Sequence, residues 1–257
     1  LIKEFFFNDD IIERIKKFSA IAGAVTTDMH EVIGHASGKT NPKLGDPGEI
    51  LKNYHNALEE SRADLVALYY ISDKKLIDIG IISSLEIGKT EYDTYITNGL
   101  MMQMARLKIG ENIEESHMRN RQMISSWVYQ KGKKDNVIEK KIKDGKIYFV
   151  INDYDKLRNL FGELLREVQR IKSEGDYQAG KNLIENYGVK VDAELHKEVL
   201  ERYSKLNIVP YAGFIQPKLV PVMENNKITD VKIEYPFDFV EQMLEYGKNH
   251  SLLPAVN

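Results

Sequence analysis

Two histidines five residues apart, His30 and His35, constrain this chain more than any other feature. They flank Glu31 in the segment His-Glu-Val-Ile-Gly-His, which continues a stretch with helical periodicity. On a regular α-helix, with about 100° per residue, side chains four apart differ by roughly 40° and side chains five apart by about 140°. The larger angle directs two imidazoles away from each other. They can bind one ion only if the helix is distorted between them.

A π-type turn is the simplest such distortion, because widening the helix by one residue returns positions i and i+5 to one face. Gly34 directly precedes His35, and glycine adopts unusual backbone conformations more easily than other residues. We therefore predict a bulge around residues 33–34 that makes His30 and His35 converge.

An acidic segment follows at residues 59–64, with the sequence Glu-Glu-Ser-Arg-Ala-Asp. Glu60 and Asp64 are four residues apart in a predicted helix and therefore share a face. Two imidazoles and one carboxylate form a zinc ligand set for hydrolysis, in which a further position is left to water. The alternative is an ordinary charged face around Arg62, since acidic residues on helices are usually solvated.

The two segments resemble the dipeptidyl peptidase III family of zinc peptidases, whose hallmark is H-E-x-x-G-H followed by E-E-C-R-A-E or E-E-C-R-A-D. Both halves occur here in that order, with Ser61 where family members often carry Cys. The resemblance spans residues 26–71, with looser similarity around His117. It implies one Zn²⁺ ion per chain, held by His30, His35 and Glu60.

The resemblance also implies roles for the neighbouring residues. Glu59 and Asp64 would orient the metal histidines through hydrogen bonds, which fix the imidazole tautomer. Glu31 would accept a proton from the water that attacks the substrate. His117 would lie across the cleft from zinc and stabilise the transition state; a helix histidine bonded to a carbonyl is the alternative. Arg121, four residues later on the same face, would hold a substrate carboxylate or carbonyl, or form a plain salt bridge.

The activity that the resemblance implies is release of dipeptides from the N-termini of short peptides by a zinc metallopeptidase. One alternative is a helical interaction module with a purely structural zinc site, although such a site would not need Glu31. Another is a zinc endopeptidase of different specificity. Family members are longer and place an N-terminal lobe with substrate contacts across a cleft from the zinc domain. We expect residues 1–257 to form one catalytic domain, the C-terminal fragment of such a peptidase, and to be weakly active or inactive without that lobe.

Periodicity and turn signals predict a mainly α fold (α+β) with one or two small β-hairpins. An Asp-Gly turn at residues 144–145 marks the clearer hairpin. Residues 76–84 fit a helix or an extended segment equally well. Helices are predicted at residues 11–29, 47–71, 90–107, 112–131, 154–174, 176–187, 193–206 and 238–246, and further strands at residues 216–223 and 228–235.

Composition excludes several other functions. A formal net charge of −3 argues against a nucleic-acid partner. The chain has no cysteine, so disulfides and thiolate metal sites are impossible and a reducing compartment is allowed. No apolar run approaches the roughly 18 residues that span a bilayer, and no signal peptide is visible. We expect a cytoplasmic protein without a membrane or nucleic-acid partner.

Overall fold

The computed structural model describes residues 1–208, 215–236 and 238–250. The chain divides into two compact units, Leu1–Ile208 and Val209–Asn257, and all predicted site residues lie in the first. That residues 1–257 form one catalytic domain stays a prediction. The described elements are, in chain order, α1 (Ile2–Phe5), α2 (Asp9–Met29), a π-turn (His30–Gly34), α3 (Pro47–Leu51), a 3₁₀ turn (Lys52–Tyr54), α4 (His55–Tyr70), α5 (Lys74–Asp78), α6 (Glu86–Leu100), a 3₁₀ turn (Met102–Arg106), α7 (Ser116–Lys131), a 3₁₀ turn (Gly132–Asp135), β1 (Ile138–Lys143), β2 (Lys146–Ile151), α8 (Tyr154–Glu174), α9 (Tyr177–Tyr187), α10 (Ala193–Ser204), β3 (Lys218–Glu224), β4 (Lys227–Glu234) and α11 (Phe239–His250).

The predicted mainly α fold with two small hairpins is confirmed. Both hairpins are antiparallel two-stranded sheets, β1–β2 and β3–β4. Asp144 and Gly145 form the first turn with φ of 52° and 73°, and Asn225 and Asn226 form the second with φ of 50° and 62°. Turns with two left-handed residues match the twist of the flanking strands. Among the described helices, none is long and apolar enough to span a membrane.

Side-chain caps determine where several helices begin. At the start of α2, Asn8 Oδ1 accepts the Ile11 N–H at 3.0 Å, and ahead of α3 Asp46 accepts the Gly48 N–H at 2.8 Å. A cap also shortens one predicted helix. The carboxylate of Glu115 accepts the N–H groups of His117 and Met118, so α7 begins at Ser116 rather than at residue 112.

Other predicted helices also have different bounds; the last one, predicted over residues 238–246, is observed at Phe239–His250. The helix predicted over residues 47–71 is interrupted at Lys52, whose φ of 52° and ψ of −129° cannot continue a right-handed helix. The helix predicted over residues 90–107 begins four residues earlier, at Glu86, and ends at Leu100. Met101 leaves the helical region with φ of −139°, and the chain continues as a 3₁₀ turn. The ambiguous stretch from residue 76 begins in the short helix α5.

Helix α4 is the central element of the first unit. It packs against α2, α6, α7, α8 and α9 and against the π-turn. Four consecutive residues, Leu65 to Leu68, are buried, as expected for a helix that is surrounded by neighbours. Apolar residues of α3, of the 3₁₀ turn after it and of α4 are buried as well: Leu51, Tyr54, Leu58, Leu65 and Leu68. The acidic segment at residues 59–64 is therefore held rigidly beside the π-turn.

Gly34 is required for close packing rather than for the backbone freedom expected from the sequence. Its φ is not among the positive values of the described residues. A Cβ at this position would lie 2.8 Å from Ala63 Cα and 2.9 Å from Ala63 Cβ, well inside contact distance. The absence of a side chain lets the π-turn approach the backbone of α4.

Gly34→Ala should lower the free energy of unfolding by about 1–3 kcal/mol, because the added methyl overpacks the contact with Ala63. Urea denaturation in the presence of a chelator measures this without a contribution from bound metal. Gly23→Ala in α2 is the matched control, since a Cβ there meets nothing within 4 Å. That change should be neutral or stabilise by up to about 1 kcal/mol. Equal effects of the two substitutions would contradict this account of Gly34.

Candidate metal centre

The π-turn brings the two histidines together. The His35 N–H donates to the His30 carbonyl at 3.0 Å, which is the i to i+5 hydrogen bond of a π-helix. The Nε2 atoms of the two imidazoles lie 3.1 Å apart, and the rings meet edge to face with centroids 4.7 Å apart. The predicted bulge and the convergence of His30 and His35 are confirmed.

Glu60 of α4 completes the group. Its Oε2 atom lies 3.2 Å from His30 Nε2 and 3.9 Å from His35 Nε2. One potential ligand atom from each of the three residues lies within 4.8 Å of the others. Glu60 Oε2 is buried and finds no hydrogen-bond partner within the described part of the chain. The structure thus brings together the three side chains that the sequence analysis gave as candidate ligands.

These donor atoms have the spacing of a tetrahedral zinc site. Zn–N bonds of about 2.0–2.1 Å at tetrahedral angles place two nitrogens about 3.3 Å apart. The observed distance between the two Nε2 atoms, 3.1 Å, is close to this value. A buried carboxylate oxygen without a partner normally requires an ion, a proton or a water. His30, His35 and Glu60 therefore fit a divalent ion.

Each imidazole is oriented by a carboxylate of α4. His30 Nδ1 lies 2.6 Å from Asp64 Oδ1, and His35 Nδ1 lies 3.0 Å from Glu59 Oε1. A proton on Nδ1 leaves the Nε2 lone pair available to a metal. The side chains of Glu59, Glu60 and Asp64 are only 17%, 19% and 14% exposed, so they do not form a solvated charged face.

Asp64 is itself held by two residues that sequence reasoning missed. Its Oδ2 atom accepts hydrogen bonds from Tyr95 Oη at 2.7 Å and from Asn120 Nδ2 at 2.8 Å. Asn120 directly precedes Arg121 in α7, and this adjacency was the only signal that could have found it. Tyr95 comes from α6, where it shares a polar face with Glu91 and Asn98 at helical spacing.

Glu59 is held by two cations. Arg62 donates from Nε at 3.0 Å and from Nη2 at 2.6 Å, and Lys172 of α8 donates at 2.5 Å. The Arg62 side chain is 1% exposed and also donates to the His35 carbonyl and to Ser37 Oγ. The alternative of an ordinary charged face around Arg62 is therefore wrong, because this guanidinium is buried and donates to Glu59, Ser37 and the His35 carbonyl.

The electrostatics of the metal-free site follow from these contacts. The carboxylates of Asp64 and then of Glu60, both close to the ring, raise the pKa of His30 to about 10. The same contact with His30 lowers the pKa of Glu60. Burial raises the pKa of Glu59, but the hydrogen bonds from Arg62, Lys172 and His35 outweigh it and bring that pKa to about 2. A metal ion must therefore displace a proton from His30 when it binds.

The sequence model of peptidase family M49 matches residues 42–236, which is most of the chain. The chain belongs to peptidase family M49. The matched region includes the acidic segment at residues 59–64 and His117, whereas His30 and His35 precede it.

Solved structures agree with the M49 assignment at the level of the fold. DPP III from Caldithrix abyssi is 22% identical with a TM-score of 0.59, and the match covers 79% of this chain and 35% of that one. Dipeptidyl-peptidase III from Corallococcus sp. strain EGB is 19% identical with a TM-score of 0.58, covering 79% and 34%. The M49 chain thus spans about a third of their length. No curated protein matches it. The resemblance found in the motifs is confirmed for family and fold.

A cleft of about 320 Å³ adjoins the metal residues of this M49 chain. It is lined by residues of α2, the π-turn, α4, α6 and α7, among them His30, Glu31, Asp64, Glu91, Tyr95, Asn98, His117 and Arg121. The Glu31 side chain is exposed, whereas its neighbour His30 is half-buried. The structure therefore places one of the predicted ligands, His30, around the same space as Glu31, His117 and Arg121.

His117 faces the metal residues from α7. Its Nε2 atom lies 3.5 Å from Glu60 Oε2, and its side chain is 54% exposed. Its Nδ1 atom lies 2.7 Å from Glu115 Oε1, so the ring is oriented by a carboxylate and not by the carbonyl of the alternative interpretation. The role of Arg121 stays a prediction.

Glu91 lines the same cleft, and sequence reasoning treated it only as part of a helix start. Burial, and then the negative charge of Asp64, raise the pKa of Glu91 to about 7. Thr26 and Arg121 act in the opposite direction but are weaker. At neutral pH such a carboxyl group can act both as a hydrogen-bond donor and as an acceptor. Shifted pKa values of this kind cluster at functional sites.

Glu91→Gln should raise the free energy of unfolding at pH 8 by roughly 1–3 kcal/mol and change it little at pH 4.5. A carboxyl with a raised pKa is favoured in its neutral form, so its ionisation destabilises the fold progressively as the pH rises from about 4.5 to about 7. Urea denaturation of the metal-free chain at several pH values measures the difference. Glu13→Gln, at an exposed carboxylate of α2, is the control. A gain that is independent of pH would contradict the shifted pKa.

Proposed function

We propose that this chain is the zinc-binding catalytic part of a peptidase that releases dipeptides from the N-termini of short peptides. The observation that supports this most is the convergence of His30, His35 and Glu60 beside a cleft that also holds Glu31 and His117. A purely structural metal site has no use for an exposed carboxylate next to a ligand.

His30, His35 and Glu60 would hold one Zn²⁺ ion per chain. When bound, zinc supplies Lewis acidity, which polarises a carbonyl and lowers the pKa of a water towards neutrality. Asp64 and Glu59 keep both imidazoles in the tautomer that a metal requires. The chain itself contributes no thiolate, so its donor set consists of nitrogen and oxygen.

Proton transfer falls to Glu31. Its carboxylate adjoins His30 in sequence and lines the cleft, where a substrate carbonyl and a water would meet. We assign it to accept the proton of the attacking water and to return that proton to the leaving amine. This role requires an ionised carboxylate that is accessible from the cleft.

Charge stabilisation falls to His117. The contact of its Nδ1 atom with Glu115 fixes the ring, and its Nε2 atom is directed towards the Glu60 side of the cleft. We assign His117 to act as an imidazolium, in which Nδ1–H donates to Glu115 and Nε2–H donates a hydrogen bond to the oxyanion that develops on the substrate. Arg121, on the same face of α7, would hold a carbonyl or carboxylate of the peptide.

The specificity for dipeptides rests on the family and not on the residues of the metal site. The solved structures that the chain resembles are described as dipeptidyl-peptidase III, and the chain spans about a third of their length. We propose that an N-terminal lobe of the same polypeptide supplies most substrate contacts. The chain alone would then bind zinc and hydrolyse peptides weakly. Separately, we propose a cytoplasmic location for the protein.

A structural zinc site is the competing function, and one observation favours it. His117 Nε2 lies 3.5 Å from Glu60 Oε2, close enough for His117 to become a fourth ligand after a small movement. Such a site would be closed to water.

The third possible function is a zinc endopeptidase of different specificity. Peptides with free and with blocked N-termini distinguish it from a dipeptidyl peptidase, because only the endopeptidase cleaves both.

Glu31→Gln should leave zinc content unchanged and lower the cleavage of a dipeptidyl-naphthylamide by about 10²–10⁴-fold, because the proton acceptor is lost. His30→Ala and Glu60→Ala should lose the metal. The assay uses the full-length parent beside the 257-residue chain, and elemental analysis gives the zinc content. Glu13→Gln is the control carboxylate on α2. Near-normal activity of Glu31→Gln in the full-length parent would overturn the role of Glu31, and unchanged zinc in His30→Ala would overturn the ligand set.

A further inference from the structure

The two carboxylates that orient the metal histidines are supported in chemically different ways. Glu59 is bound by two cations, Arg62 and Lys172. The described contacts of Asp64 are instead with His30, Tyr95 and Asn120, so its remaining oxygen is bound by two neutral donors. These donors come from α6 and α7, while Asp64 itself belongs to α4.

Both neutral donors are buried. Tyr95 is 7% exposed and Asn120 is 1% exposed. Their hydrogen bonds to Asp64 Oδ2 are 2.7 Å and 2.8 Å long, as expected for donors to an ionised oxygen. With Oδ2 bound twice, the carboxylate cannot rotate without breaking two buried hydrogen bonds. Its other oxygen, Oδ1, therefore stays on His30 Nδ1.

We propose that Tyr95 and Asn120 are positioning residues that set the affinity of the site for zinc by holding Asp64 against His30. The inference rests on the proposed function, since it assumes that His30 binds zinc. Neutral donors fix the position of Asp64 without offsetting its negative charge, which therefore acts on His30. The cations that contact Glu59 instead offset much of the negative charge that faces His35. Tyr95 and Asn120 thus control the orientation of the carboxylate that contacts His30.

The geometry links this support to the far wall of the cleft. Asn120 lies between His117 and Arg121 in α7, and its bond to Asp64 joins α7 to α4. The contact that orients His30 therefore also fixes the helix that carries His117. Tyr95 similarly joins α6, which carries Glu91, to the same carboxylate.

Tyr95→Phe and Asn120→Ala should each weaken zinc binding by about 3- to 30-fold, somewhat less than loss of a carboxylate that contacts a ligand directly. Competition with a chromophoric chelator measures the dissociation constant of the 257-residue chain. Tyr92→Phe is a matched control, because Tyr92 also lies in α6 and donates a buried hydrogen bond, to the Leu68 carbonyl at 2.7 Å, without contacting Asp64. It should change zinc affinity by less than about twofold while costing similar stability.

A double-mutant cycle tests whether the effect passes through Asp64. In an Asp64→Asn background, Tyr95→Phe should cause little further loss of zinc affinity, because the carboxylate that it positions is gone. Affinities of Tyr95→Phe and Asn120→Ala equal to that of Tyr92→Phe would overturn the inference. An undiminished loss of zinc affinity caused by Tyr95→Phe in the Asp64→Asn background would also overturn the inference. Failure of the unsubstituted chain to bind zinc would instead overturn the proposed function, and the two failures are thus distinguishable.

Discussion

The rest of the candidate metal centre depends on one hydrogen bond, from the His35 N–H to the His30 carbonyl. It closes a turn of five residues instead of four and so brings two imidazoles to one face of the helix. The turn lies directly against α4, because Gly34 has no side chain to separate it from Ala63. Glu60 on α4 is thereby brought within reach of both histidines. The local helical distortion and the packing of two helices depend on each other.

Two successive sets of hydrogen bonds hold the imidazoles of His30 and His35 in place. Asp64 and Glu59 orient the imidazoles, and α6, α7 and α8 contribute the groups that hold these carboxylates. Most of the polar atoms are well protected from solvent, which strengthens the hydrogen bonds between them. The cleft side differs, since Glu31 is exposed and His117 is half-exposed. The candidate metal centre thus combines buried, hydrogen-bonded carboxylates with accessible side chains on the cleft side.

The sequence was sufficient for interactions that depend on short spacing. The five-residue separation of His30 and His35 required the π-turn, and Asp144-Gly145 required a hairpin. Residues joined only by the tertiary fold could not be found in this way. Tyr95, Asn120 and Lys172 are 31, 56 and 113 residues from the carboxylates that they contact. Glu91 looked like an ordinary helix residue until its surroundings in the fold were known. Nothing in the local pattern predicted the positive φ of Lys52.

The proposed function requires three side chains to meet at one divalent ion with room for water. Anomalous diffraction at the zinc edge, from crystals of the zinc-loaded chain, shows whether they do. We expect a single zinc ion bound by His30 Nε2, His35 Nε2 and a carboxylate oxygen of Glu60 at about 2.0–2.2 Å, with a further position open to the cleft. An ion elsewhere, or imidazoles directed apart, would contradict the ligand set. Coordination by His117 in the remaining position would contradict the catalytic role and favour a structural zinc site.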